Sequence, residues 1–216
     1  TPTATPTTTP TATPTANPTS APTGTPTATP TVAPTSTPTS APTSPVMAVE
    51  ITKGWTWLTL NVQTAANGIN ELFSSIRGSL VNDDMIKGQF EFTSFYEGFG
   101  FFGTLNSLTA PAMFKIKMAN PASLRLAGTP VPLPLQVSIA TGWNFLPNPH
   151  HKSANLATGL PSGISYQMDD QVKGQLQFAS YYPGYGWFGS LDQLTPALGY
   201  MLYVKGAGGQ GTFEAI

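Results

Sequence analysis

From residue 46 onward the apolar side chains fall mostly with a period of two, as in Met47-Val49-Ile51, Phe90-Phe92, Phe114-Ile116-Met118 and Tyr200-Leu202-Val204. Successive side chains of a strand point to opposite faces, so this spacing predicts strands with one covered face. The glycines of "YEGFG" at 96–100 and "YPGYG" at 182–186 suit tight hairpin turns between such strands. One segment follows the helical period instead: Ile69, Leu72, Phe73 and Ile76, three, four and seven apart, with Asn67 or Asn70 as its cap. Its counterpart near 155–160 is shorter and is broken by Gly159 and Pro161.

The pattern occurs twice. Residues 83–118 align without a gap on 169–204, matching Asp83 with Asp169, Lys87 with Lys173, Gly88 with Gly174, Phe92 with Phe178, Tyr96 with Tyr182, Gly98 with Gly184, Gly100 with Gly186, Gly103 with Gly189 and Leu108 with Leu194. Upstream, "VEITKGW" at 49–55 matches "VSIATGW" at 137–143. Each copy is therefore about 85 residues, the size of a small domain, and the two join near the proline-rich stretch 130–134. The shared pattern, roughly "GW…KGQ…YxxGxGWFGSLxxL", resembles repeats that occur in tandem in large secreted, surface-associated proteins.

Residues 1–45 obey another rule. Proline stands at every fourth position from Pro2 to Pro42, each followed by threonine, and most remaining positions hold Thr, Ser or Ala. Each proline fixes its own φ and pushes the preceding residue toward extended geometry, which excludes helix and favours polyproline II. Backbone ordering costs roughly 1–2 kcal/mol per residue, and no side chain larger than Val32 is present to offset it by burial. The expectation is a stiff but fluctuating stem, roughly 140 Å long at about 3.1 Å per residue. A four-residue step turns about a third of the way round a three-residue helix, so groups attached at successive repeats surround the stem.

Ser/Thr-rich sequence punctuated by proline is the composition of O-glycosylated stalks. The candidate O-glycosylation positions are Thr3, Thr5, Thr7, Thr9, Thr11, Thr13, Thr15, Thr19, Thr23, Thr25, Thr27, Thr29, Thr31, Thr35, Thr37, Thr39 and Thr43, with Ser20, Ser36, Ser40 and Ser44. No Asn-x-Ser/Thr sequon with x other than proline is present, so glycans are expected to be O-linked. The repeat resembles the Thr/Pro-rich tetrapeptide stems of secreted surface glycoproteins, in particular freshwater glycofibrils. That resemblance implies hydroxylated or glycosylated prolines, with Pro6, Pro10, Pro14, Pro18, Pro22, Pro26, Pro30, Pro34, Pro38 and Pro42 as candidates.

The expected architecture is thus mainly all-β: an extended polyproline II stem over 1–45, then two tandem small modules, sandwich-like or barrel-like, over 46–130 and 131–216, each with at most one short helix. All charge lies in the modules, and nine basic against ten acidic residues leave a formal net charge of −1. A near-neutral balance gives no support to nucleic-acid or anionic-membrane binding. The chain has no cysteine, which removes disulfides, zinc-thiolate sites and thiol nucleophiles. No apolar stretch approaches the ~20 residues of a membrane span, and without a charged-then-apolar leader the chain reads as a mature fragment, with an extracellular or cell-surface location expected from the stem.

Candidate chemistry is sparse. The pairs Asp83-Asp84 and Asp169-Asp170 are the acid candidates, because two nearby carboxylates can act as acid and base in glycoside cleavage or bind calcium. Adjacent strand residues point to opposite faces, however, which favours a turn in which aspartate accepts backbone hydrogen bonds. His150-His151 offers a transition-metal ligand or general base, but it has no counterpart in the first copy, and a solvated loop is expected. Gly98-Gly100-Gly103 and Gly184-Gly186-Gly189 superficially spell Gly-x-Gly-x-x-Gly yet lack the following helix that phosphate binding requires.

The aromatic residues remain. A small module needs most of its rings inside, and alternation turns about half of each run outward. Phe99, Phe101, Tyr185 and Trp187 are the candidate contact aromatics, for a protein interface first and for sugar faces second. The expected role is a non-enzymatic, cofactor-free structural subunit of an extracellular fibre or surface coat that self-associates through its modules, with a sugar-binding appendage as the alternative. Exposed strand edges, and the segment 46–51 in particular, are expected to pair with a neighbouring chain.

Overall fold

The computed structural model describes residues 46–216; the stem, with its candidate glycosylation and proline-modification positions, lies outside the described residues. The first half contains β1 (Val46–Ile51), β2 (Gly54–Leu60), β3 (Val62–Gln63), α1 (Ile69–Leu72), a 3-10 turn (Ser74–Ser79), β4 (Met85–Lys87), β5 (Phe92–Tyr96), β6 (Gly100–Gly103), β7 (Ala112–Met118), β8 (Ala122–Ala127) and β9 (Thr129–Pro130). The second half contains β10 (Leu135–Ile139), β11 (Gly142–Leu146), β12 (Ala154–Asn155), α2 (Leu156–Gly159), β13 (Gln171–Lys173), β14 (Phe178–Tyr182), β15 (Gly186–Gly189), β16 (Gln193–Leu194), β17 (Tyr200–Val204) and β18 (Gly209–Phe213). The protein is mainly β, with two five-stranded antiparallel sheets in tandem ordered β2-β7-β4-β5-β6 and β11-β17-β13-β14-β15. Both halves lie in one compact unit.

The period of two does what the residue types require. In the first module Leu58 and Leu60 on β2, Ile86 on β4, Phe95 on β5, Phe101 on β6 and Phe114, Ile116 and Met118 on β7 face one core. The ribbon of β1 and β8 adds Met47, Val49, Ile51, Leu124 and Leu126 to it. The helical segment supplies Ile69, Leu72, Phe73 and Ile76, all buried as their spacing predicts, although Gly68, and neither expected asparagine, is the residue at its cap. Phe90 is not in a strand: it stands almost wholly exposed in the turn before β5.

Turn chemistry fixes the frame identically in both halves. Asp83 and Asp169 take left-handed φ values of 68° and 66°, a conformation Asp tolerates better than most residues. That turn points the next carboxylate inward. Asp84 accepts the N–H groups of Val81 at 2.9 Å and Ala119 at 2.8 Å, and Asp170 those of Gln167 and Lys205, both at 2.8 Å. The Asp pairs are therefore turn clamps that tie the entry of β4 to the end of β7, and of β13 to the end of β17.

The segment Val46–Ile51 does not wait for a neighbour, contrary to the sequence expectation. It pairs along its whole length with Ala122–Ala127 of its own module, because its three inward residues complete the core there. The free edge of β2 is also covered. Thr59 N–H donates to Ala197 O at 2.9 Å, and Gly199 N–H donates to Trp57 O at 3.1 Å, so residues 197–199 run beside β2 from the second module. Glycine is required there, since a β-carbon at Gly199 would lie 2.8 Å from Leu58 O.

The modules clasp one another reciprocally through one residue of the shared "KGQ" pattern. Gln175 accepts Trp57 N–H at 3.0 Å and donates to Trp55 O. Its counterpart Gln89 accepts Phe145 N–H at 2.8 Å and donates to Trp143 O at 3.2 Å. Lys115 and Met201 occupy equivalent positions and meet at 3.0 Å between the two amide clasps. The Lys115 ammonium lies 4.1 Å from the ring centre of Trp57 and 4.9 Å from that of Phe145, and burial, then the Lys87 charge, pushes its pKa down. A duplicated chain thus buries its own repeat against itself with approximate two-fold correspondence.

Candidate functional site

The sheet register places the outward side chains. Ser94 on β5 faces Phe102 on β6 and Met85 on β4, and Lys87 faces Phe92 and Lys115, so Phe92, Ser94, Tyr96 and Phe102 share the face opposite the core. The same register in the second module puts Phe178, Ser180, Tyr182 and Phe188 together. Phe92 and Phe178 are each half exposed, as are, to similar degrees, the other rings of both faces. Tyr96 and Phe102 lie 6.4 Å apart with rings tilted by 60°; Tyr182 and Phe188 lie 6.0 Å apart with rings tilted by 72°. At the far side of each face a lysine stands over a tryptophan, Lys87 on Trp55 at 5.6 Å and Lys173 on Trp143 at 4.7 Å.

These outward residues are the same in both copies: Trp55/Trp143, Lys87/Lys173, Phe92/Phe178, Ser94/Ser180, Tyr96/Tyr182 and Phe102/Phe188. Identical turn residues are explained by backbone geometry and identical core leucines by packing. Half-exposed phenylalanines are explained by neither, since they lie on the face opposite each module's own core. Rings beside lysine ammonium groups, with little other charge, make an apolar surface with a weak positive bias that suits contact with another apolar or π-rich surface.

The four aromatics singled out from sequence separate into three situations. Phe99 and Tyr185 stand at the hairpin tips, 75% and 82% exposed, next to the aromatic faces. Phe101 is not a contact residue: it is 8% exposed and sits edge-on to Phe73 at 5.5 Å and to Phe95 at 5.2 Å. It pairs with inward-facing Phe95, which assigns it to the core side of the sheet. Trp187, its counterpart, is half-buried in a cluster with Tyr166 and Tyr181, at ring distances of 5.1 Å and 5.3 Å. Burial, followed by the Asp170 charge, raises the Tyr166 pKa, so its hydroxyl stays protonated and donates to Pro161 O at 3.0 Å. The outward set carries no mark in the sequence, where the hairpin glycines single out only the tips. Only the pairing of β5 with β6 separates Phe101 from Phe102.

The histidines also depart from expectation. His150 is fully buried instead of solvated. Its Nε2–H donates to Gly159 O at 3.1 Å, and its ring lies edge-on to Phe213 at 5.6 Å. Burial, outweighing the Gly159 hydrogen bond, holds its pKa down. His151 lies at the surface, where its Nε2–H donates to Asn61 O of the first module at 2.9 Å. Among the described residues no group of three or more His, Asp or Glu side chains is placed to hold a metal, and no helix is long and apolar enough to cross a membrane. No protein-family profile, curated protein or solved structure matches the chain.

Proposed function

We propose that the chain is a non-enzymatic structural subunit of an extracellular glycoprotein fibre or cell-surface coat: a stem sheathed in O-linked glycans that carries a two-module head, with the outward aromatic faces making the assembly contacts. The observation that supports this reading most is the retention of Phe92/Phe178, Tyr96/Tyr182 and Phe102/Phe188 in half-exposed positions of both copies. The edge-to-face tilt within each pair argues for a corrugated protein partner over a flat polysaccharide surface, on which two stacking rings would have to be coplanar. The reciprocal glutamine clasp supports the same role, since it couples the two modules and lets the head act as one piece with two faces.

The test is sedimentation velocity of the native protein beside the triple variants Phe92→Ser/Tyr96→Ser/Phe102→Ser and Phe178→Ser/Tyr182→Ser/Phe188→Ser. The native protein is expected to associate with rising concentration, and each triple variant to shift the association to at least ten-fold higher concentration with its circular dichroism unchanged. A native protein that stays monomeric at every concentration, or variants that associate like it, would remove the assembly role. Intact mass of the native protein against its 22.7 kDa chain tests the stem: an excess confined to peptides from 1–45 is expected.

A further inference from the structure

The second module contains a cleft of about 770 Å³, within the 300–1,000 Å³ typical of small-ligand sites. Its floor is Tyr181 and Trp187, and its walls include Tyr166, Thr158, Ser162 and Glu214. The corresponding place in the first module is filled. There Phe73 of the helical segment packs on Phe101, the counterpart of Trp187.

Backbone groups differ in the same way. Tyr181 exchanges its backbone hydrogen bonds with Asp169 and Asp170, so the groups of its cross-strand partner Trp187 point away from the sheet, toward the cleft. In the first module the equivalent N–H, of Phe101, donates to Asn70 Oδ1 at 2.8 Å. The bridges of Gly68 with Ser107 and of Asn155 with Gln193 align α1 with α2 and put Ala157 where α1 has Asn70. Ala157 has no amide to offer, and among the described residues nothing accepts the Trp187 N–H.

From these differences we infer that the cleft of the second module binds a short neutral sugar chain, an activity separate from the aromatic assembly faces. The C–H face of a pyranose packs on the Trp187 ring, with the Tyr181 ring, tilted by 60° to it, closing one side, and its hydroxyls meet the Trp187 N–H, the Ser162 and Thr158 hydroxyls and the Glu214 carboxylate. The Ser162 hydroxyl stands 3.2 Å from both the Glu214 carboxylate and Thr212 O, one of which accepts its proton, and this holds the serine beside the carboxylate at the rim. No cationic side chain lines the cleft, so an acidic sugar would meet an uncompensated carboxylate. Strand addition by a peptide is disfavoured: β15 presents one outward residue, Trp187, before it ends at Gly189, too short for a ladder.

The test is isothermal titration of the full chain, made in a host without O-glycosylation, with hexasaccharides of β-glucan, xylan and mannan and with a galacturonic acid hexamer. Saturable binding of at least one neutral hexamer and none of the acidic one is expected. Ala157→Asn, which supplies the missing amide cap, should weaken binding at least ten-fold without loss of stability. Trp187→Phe, the first module's solution, should weaken it several-fold, while Phe102→Ser should leave it unchanged. Absence of saturable binding by every neutral hexamer, or binding indifferent to both Ala157→Asn and Trp187→Phe, would overturn the inference. Repeating the titration with the native glycosylated chain separates two sources of the sugar. Equal affinity points to an external polysaccharide, and a lower apparent affinity to competition from the chain's own glycans.

Discussion

The two modules share a frame and differ in what fills it. Both have the clamp aspartate, the hairpin glycines, the glutamine clasp and the outward rings at equivalent positions. The first fills the space between sheet and ribbon with Phe73, Ile76, Leu124 and Leu126. In the second the register places Gly211 where Leu124 stands and Phe213 where Leu126 stands. Pro161 and Ile164 then close on Gly211, where a β-carbon would lie 2.7 Å from the proline ring. Leu135 and Val137 are only half-buried, whereas Met47 and Val49 are buried. The difference teaches that the strands and turns of this repeat tolerate different fillers, and that the looser filling leaves room for a cleft.

The strongest test of that contrast compares equivalent positions. Phe101→Ala should cost about 3–5 kcal/mol, as expected for a buried ring, whereas Trp187→Ala at its half-buried counterpart should cost less than about 3 kcal/mol. Urea unfolding measures both, and equal losses would mean that the second module is as tightly filled as the first. The frame itself should respond alike in both halves: Asp84→Ala and Asp170→Ala each remove two charge-assisted hydrogen bonds and should each cost about 3 kcal/mol. A clear inequality between them would show that the clamps are not equivalent.

Smaller effects sharpen the coupling between modules. Gln89→Ala and Gln175→Ala should each cost about 1 kcal/mol and together should separate one unfolding transition into two, visible by calorimetry. A single sharp transition in the double variant would place the coupling elsewhere. The smallest effect is one of pH. Because burial holds the folded His150 pKa below the usual 6.5, the unfolded chain takes up the proton first as pH falls. Stability is therefore full above about pH 6.5 and declines below it through the folded pKa. His150→Gln should flatten that decline, and an unchanged pH profile would assign it to other groups.

Much of the head was readable before folding. The period of two placed β1, β7 and β17, and the spacing of Ile69, Leu72, Phe73 and Ile76 placed the helical segment together with its buried face. Asp84 and Asp170 were readable as turn acceptors because a carboxylate beside a chain reversal has backbone N–H groups within reach. Two kinds of residue were not readable. His150 looks solvated in "LPNPHHKS", and its burial rests on the Gly159 carbonyl and the distant Phe213 ring, which no local pattern records. Phe101 and Phe102 are neighbours of the same type, and only the pairing of β5 with β6 decides which turns inward.

Local rules acting within a few residues therefore determined the strands, turns, duplication and helical segment: side-chain alternation, glycine and aspartate backbone freedom, and proline stiffness. Tertiary structure alone decided that Gln89 and Gln175 reach across to the opposite module, that Val46–Ile51 is used within its own module, and that Trp187 faces a cleft where Phe101 is covered. The physical reason is that each of these depends on the volume left between elements far apart in sequence. That volume is set by how every other side chain packs, and no single segment carries it.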